Sequence, residues 1–153
     1  MKYLFYYDTP IGKIGIAEEE GAVTELFFGN EQGPENTELR ETPLLKETFR
    51  QLTEYFNKKR KVFDVPLNLV GTEFQKRDWE ELKKIPYGET KSYGEIAKAL
   101  GIPKGARAVG LANNRNPVAI IVPCHRVIGH DGKLVGFGGG LHIKEALLGL
   151  EKT

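Results

Sequence analysis

The chain has 153 residues, 40% hydrophobic and 28% charged, a balance ordinary for a globular protein with one full core or two small ones, and it holds no run of about 18 apolar residues to suggest a membrane span. Its net charge of +1 hides an asymmetry: residues 1–70 carry nine Lys/Arg against twelve Asp/Glu and residues 71–153 thirteen against nine, so a polyanionic partner is expected of the second part alone. The single cysteine, Cys124, excludes an internal disulfide, and with no second cysteine and no clustering of His125, His130 and His142, the expected chemistry runs without metal or other cofactor.

In chain order, the start from Met1 to Tyr6 is too short and aromatic for a signal peptide, which points to the cytoplasm. The β-rich runs Lys2 to Tyr7, Lys13 to Ala17 and Ala22 to Phe28, divided by Thr9-Pro10 and Glu18-Glu19-Glu20-Gly21, predict a three-stranded antiparallel meander. Gly29 to Glu41 reads as polar loop. Thr42 as N-cap and Pro43 at the first helical position then launch a helix carrying Leu44, Leu45, Phe49, Leu52 and Phe56, which covers one face of the sheet. Val62 to Val70, interrupted by Pro66, reads as an edge strand or extended linker. A domain boundary is expected near Gly71, with a β-rich domain over 1–70 and a second domain over 71–153.

The second part reads as mostly helical, so the fold class is α+β. The capping box Thr72-Glu73-Phe74-Gln75 opens a helix with Phe74, Trp79 and Leu82, which stops before Ile85-Pro86. A second box, Ser92-Tyr93-Gly94-Glu95, opens a short helix that ends at Gly101, and another helix spans about Gly105 to Asn113. Two short helices about a glycine-containing turn predict a helix-turn-helix, a pattern that helical hairpins without a DNA partner share. Gly105, Ala106, Ala108, Gly110 and Ala112 leave Arg107 as the one long charged side chain at the start of the second of these helices. A major-groove reader needs more long polar side chains, whereas small ones permit close approach to a sugar-phosphate backbone and one arginine can enter the stack as a wedge. Tight helix packing with a solvated arginine is the plainer alternative.

Cys124 ends the run Ile120-Ile121-Val122-Pro123 and is followed by His125-Arg126-Val127. A lone cysteine is more often a small buried hydrophobe, but here a side chain able to take the thiol proton is adjacent, which is the arrangement of a nucleophile. Adjacent side chains diverge, so the proton transfer calls for an intervening water. The last helix carries Ile143, Ala146, Leu147 and Leu150 at core spacing, with Glu151 one turn beyond Leu147.

Pro123-Cys124-His125-Arg126-Val127, preceded by Arg107-Ala108-Val109-Gly110 and Asn116-Pro117 and followed by Gly139-Gly140-Leu141, Lys144-Glu145 and Leu147-Leu148, resembles the O6-alkylguanine-DNA alkyltransferases over the whole second part. The first part matches only in layout. The resemblance implies a DNA repair protein, a methylated-DNA–protein-cysteine methyltransferase that takes the alkyl group from O6-alkylguanine, and from O4-alkylthymine, irreversibly onto Cys124 in a single turnover. It implies that His125 activates the thiol through a water, that Glu151 orients His125, and that Tyr93 supplies a proton or hydrogen bond to the leaving guanine. It further implies Asn116 as a hinge tying two segments together, Lys144 as a helper of the reacting geometry, and Pro123, Val127, Phe137 and Gly138 around the substrate.

Because the alkyl group is hidden in the duplex, the nucleotide must flip out. The resemblance then places Arg107 in the vacated space, with Tyr93, Ala106, Ala108 and Gly110 against the minor groove of double-stranded DNA, and a monomer as the acting species. The chain departs from the common family pattern at Val135 to Gly140, where Phe137 stands for a tyrosine and Gly138 for a serine or alanine. The rival readings are a protein that binds alkylated DNA without transfer, against which Cys124 argues, a Cys-His hydrolase, and a transcription regulator, whose reading helix would lack base-contacting side chains.

Overall fold

The computed structural model describes residues 1–29 and 31–152, which divide into two compact units, Met1–Leu69 and Val70–Thr153. In the first unit, β1 (Lys2–Thr9), β2 (Gly12–Glu19) and β3 (Ala22–Phe28) form the antiparallel meander, with register pairs Phe5 to Ile16 and Ile16 to Leu26. The hairpin between β2 and β3 turns at Glu20 and Gly21, both at positive φ (52° and 78°), the conformation whose twist matches the flanking strands.

The expected loop over residues 29–41 holds a fourth strand, β4 (Thr37–Leu39), which pairs parallel with β1 and gives the sheet order β3-β2-β1-β4. Three residues are too few to show a period of two, and their place is set by the open edge of β1 rather than by their own side chains. On the other edge, Val23 donates to Pro66 O (2.8 Å) and accepts from Asn68 N (3.0 Å), so the segment around Pro66 does lie at a sheet edge, where a missing N–H is tolerated.

The covering helix α1 (Pro43–Phe56) starts as predicted: Thr42 Oγ1 accepts from Leu45 N at 3.2 Å, and Pro43 gives up no needed donor. Its buried stripe is Leu45, Thr48, Leu52 and Tyr55, with Gln51 beside it. Phe56 is only half-buried while Tyr55 is fully enclosed, one residue off the sequence expectation, because the tyrosine ring reaches Phe63 and takes the inner position.

The second unit contains α2 (Glu73–Lys83), α3 (Tyr93–Ala99), α4 (Ala106–Asn114) and α5 (Leu141–Glu151), with a two-stranded parallel ladder of β5 (Lys91–Ser92) and β6 (Val127–Ile128). Both capping boxes are complete. Thr72 and Ser92 accept from the backbone amides of Gln75 and Glu95, whose side chains reach back to the cap amides. Trp79 anchors α2 to α4 by donating from Nε1 to Ala112 O at 3.0 Å. Beside it Asp78 is fully buried, and Asn113 directs its amide nitrogen to Asp78 Oδ2 (2.5 Å) and Val109 O (3.2 Å).

The buried face of α5 differs from the expected one. Ile143, Lys144, Leu147, Leu148 and Glu151 are enclosed, while Ala146 is exposed and Leu150 half-buried. An apolar-only pattern misplaces the stripe, because two of the residues on the inner face are charged and held by partners described below.

Candidate active site

Cys124 does not lie on a strand but opens a 3₁₀ turn, Cys124–Arg126, reached through three tight turns. Val122 N closes an α-turn onto Val118 O (3.0 Å). Inside it Ile121 N bonds Ala119 O at 2.8 Å across Ile120, whose φ of +71° makes this the strained hand of γ-turn. Cys124 N then bonds Val122 O at 2.8 Å across Pro123 (φ −82°, ψ 64°), the relaxed hand of the same turn. A β-branched residue at positive φ costs about 1–3 kcal/mol, and surrounding contacts must hold it there. Asn116 supplies two of them, donating from Nδ2 to Val122 O (2.7 Å) and accepting from Val118 N (3.0 Å) at Oδ1. The expected hinge is thus a bracket across the base of the loop that carries the cysteine.

Cys124 is 8% exposed as a residue, and burial pushes the thiol pKa up to about 11, against the pull of a hydrogen bond from the Asn116 amide and of the Lys144 ammonium. At rest it is therefore protonated, and ionisation has to be coupled to a base. His125 is fully buried, which depresses its pKa below the ordinary histidine value even though Glu151 works in the opposite direction. Its Nε2 lies 2.7 Å from Glu151 Oε2. A neutral imidazole bonded to a carboxylate at Nε2 carries its proton there, which leaves Nδ1 as a bare acceptor, and Nδ1 has no hydrogen-bond partner among the described residues.

Glu151 is held in turn by Arg126, a residue the sequence reading quoted but gave no role. Arg126 Nε donates to Oε1 (2.8 Å), Nη2 to Oε2 (3.0 Å), and Nη1 to Ile85 O (2.8 Å), while the Gly88 amide adds a longer bond to Oε1 (3.3 Å). This two-pronged pairing sets a guanidinium directly against a nearly inaccessible carboxylate, the geometry that best compensates a buried ion pair. A Cys-His-Arg tripeptide with a distant glutamate carries the signal, though only the fold shows that the Arg126 and His125 side chains converge on one carboxylate.

Lys144 is fully enclosed, and burial draws its pKa down to about 8. All three ammonium hydrogens have acceptors: Val135 O (3.0 Å), Gly136 O (3.3 Å) and Tyr93 Oη (3.3 Å). Tyr93 itself donates to Val135 O at 2.7 Å, and burial, with the nearby Cys124 charge, raises its pKa to about 12. The phenol and the ammonium thus pin one carbonyl of the loop after β6, and both couple to the charge that Cys124 gains on ionisation.

Tyr93 also lines a cavity of about 640 Å³ whose other walls include Ala106, Arg107, Gly110, His130 and Gly136. Of the four residues expected around the substrate, none lines this cavity. Pro123 and Val127 are buried, Phe137 is half-buried and Gly138 is exposed on the loop. Neighbours of a nucleophile in sequence are packed into the core that holds it, while the cavity walls come from segments remote in sequence, with Val135 and Gly136 at the loop. Arg107 and Ala106 are exposed on the first turn of α4, Ala108 and Gly110 are half-buried, and α3 and α4 follow each other in the chain across residues 100–105.

A buried thiol, followed by an imidazole that has one unpartnered nitrogen and is fixed by a carboxylate, is an arrangement suited to attack by a cysteine that a histidine activates. Comparison with known proteins specifies the class further. Residues 73–153 match the family profile described as the DNA binding domain of 6-O-methylguanine DNA methyltransferase, and residues 2–69 match that of its ribonuclease-like domain. The chain belongs to the 6-O-methylguanine DNA methyltransferase family. It is 53% identical to a methylated-DNA–protein-cysteine methyltransferase of Methanosarcina acetivorans over 97% of each chain, and 48% identical to the constitutive one of Bacillus subtilis over 99% of this chain and 96% of that protein. The crystal structure of Mycobacterium tuberculosis OGT in complex with DNA superimposes with a TM-score of 0.93 at 48% identity, covering 98% of this chain and 92% of that one.

Proposed function

We infer that this protein repairs DNA by moving the alkyl group of O6-alkylguanine, and of O4-alkylthymine, onto Cys124. The observation that carries the reading is the bare Nδ1 of a neutral His125, the residue that follows a buried, protonated thiol. Cys124 Sγ forms a bond to the alkyl carbon as that carbon leaves O6. The thiol proton passes to His125 Nδ1 through an intervening water, and Glu151 Oε2, held by Arg126, stabilises the imidazolium that forms. Negative charge developing on the guanine is met by the Tyr93 hydroxyl, which hands over a proton or hydrogen bond and is backed by the Lys144 ammonium. The net change is a thiol and an O-alkyl purine converted to a thioether and guanine.

An alkyl thioether has no easy hydrolytic exit, so each chain acts once. Double-stranded DNA meets α4 through its minor groove, with Ala106, Ala108 and Gly110 allowing close approach and Arg107 filling the place of the flipped nucleotide. Asn116 keeps the cysteine loop at its distance from that helix. The loop with Phe137 and Gly138 lacks a phenol and the stiffness of a residue with a β-carbon, and so tolerates larger alkyl groups. Every group in this scheme falls in residues 71–153, which leaves residues 1–70 a supporting role and lets a monomer act alone. A free thiol with this task belongs in a reducing compartment, the cytoplasm. Intact mass after incubation with a duplex containing O6-methylguanine tests the reading: a gain of one methylene located on Cys124 is expected, and none in Cys124→Ala. An unchanged mass alongside an untouched lesion refutes it.

A further inference from the structure

Leu111 is 64% exposed in the middle of α4, where it is the large apolar side chain that the helix leaves exposed. It and Asn114 line two separate depressions, the 640 Å³ cavity on one flank of the helix and a second of about 550 Å³ on the other. The first flank carries Arg107 and His130, the second Gln75 and Arg115, and no acidic side chain lines either. A third depression in the same unit mixes Glu81 and Glu95 with Lys84, Lys91 and Lys98, so that its carboxylates are set among cations. So α4 stands as a ridge between two acid-free channels, with an apolar side chain at its crest. Leu111 lies four residues after Arg107, about 6 Å along the axis on the same side.

We propose that Leu111 is a minor-groove contact of the DNA-binding surface: the ridge enters the groove, each channel receives one sugar-phosphate strand, and Leu111 rests on the groove floor beside the site where Arg107 enters. The inference rests on the reading that α4 meets duplex DNA. Charge selects this occupant, since two acid-free flanks with Arg107 on one and Arg115 on the other suit a pair of polyanionic strands, while an apolar crest suits base edges and sugars rather than phosphates. The floor of the minor groove at A·T pairs is flat, and at G·C pairs the guanine N2 amino group projects from it. A leucine pressed onto that floor therefore favours pairs without the amino group.

The test measures binding to a fluorescent duplex, and to the same duplex with adenines replaced by 2,6-diaminopurine, which adds that amino group and leaves the major-groove edge of adenine unchanged. Wild type is expected to bind the substituted duplex on the order of fivefold more weakly, the effect of losing part of one leucine's burial. Leu111→Ala binds the plain duplex weaker by a similar factor and no longer distinguishes the two. Leu111→Met restores both properties, and Leu39→Ala, which trims an equally exposed leucine of the other unit, binds as wild type. Melting temperatures identify any variant that fails to fold. If folded Leu111→Ala binds and discriminates as wild type does, the proposal is overturned, and a mass gain on Cys124 in the same samples then leaves the alkyl-transfer reading standing. If wild type neither binds DNA nor gains mass, both fall.

Discussion

At the residue scale the chemistry turns on which nitrogen of His125 holds the proton. Glu151→Gln keeps the shape of the acceptor but offers an amide N–H to Nε2, which moves the imidazole proton to Nδ1 and removes the acceptor for the thiol proton. The single-turnover transfer rate is expected to fall by about 10²–10⁴, as other histidine-orienting carboxylates lose when made amides, with DNA affinity unchanged. The pH dependence follows from the same group. Because burial lowers the His125 pKa from 6.5, the imidazole stays neutral as pH falls through 6.5, and the transfer rate should hold there and decline only at lower pH, when Nδ1 becomes protonated. A rate that halves at pH 6.5 would show that the imidazole titrates as an exposed histidine does, against the lowering that its burial imposes. Cys124 and His125 stood out because a thiol and an imidazole adjoin in the sequence, whereas Glu151, 26 residues beyond His125, was expected beside it only through the family resemblance. Arg126 and the burial of Lys144 were not legible, since a charged residue's enclosure depends on acceptors that the fold brings from Ile85, Val135 and Gly136.

At the scale of elements, helix starts were readable and the short strand was not. Caps at Thr42, Thr72 and Ser92 act within four residues, so their pattern is complete in the sequence. β4 depends on a partner strand more than 30 residues away, and the three turns leading to Cys124 depend on the Asn116 bracket, so neither leaves a local period. The α2–α4 junction adds a buried pair with a sign that can be tested. Burial, with Glu81 nearby, raises the Asp78 pKa from 3.8 to about 7, so the folded state binds a proton there that the unfolded chain has lost. The resulting stability is fully present below pH 3.8 and disappears as pH rises through about 7. Asp78→Asn, which stays neutral, should flatten this decline: between pH 5 and pH 8 the melting temperature of wild type falls relative to that of the variant. Parallel pH profiles of the two proteins would mean that Asp78 is ionised in the fold and paired with Asn113 as a carboxylate.

At the scale of the whole molecule, a protein that acts once has a used form, and its stability follows from the packing at position 124. Cys124 is buried, and the Asn116 amide acts on its thiol. Methylation adds a carbon to a nearly closed site and turns a thiol with a donor hydrogen into a weak acceptor, while the loop behind it already holds Ile120 at a φ of +71°. Overfilling a packed site costs about 1–3 kcal/mol, and for a protein of this length each kcal/mol lowers the melting temperature by about 2–4 °C. The methylated protein is therefore expected to melt several degrees below the fresh one, and a benzylated protein lower still, because the larger group must displace the loop that Tyr93 and Lys144 hold by the Val135 carbonyl. Differential scanning calorimetry of the two thioethers against the unreacted chain measures the order directly. Equal melting temperatures for all three would require a void beside Sγ large enough for a phenyl ring, and with it a thiol far less buried than Cys124.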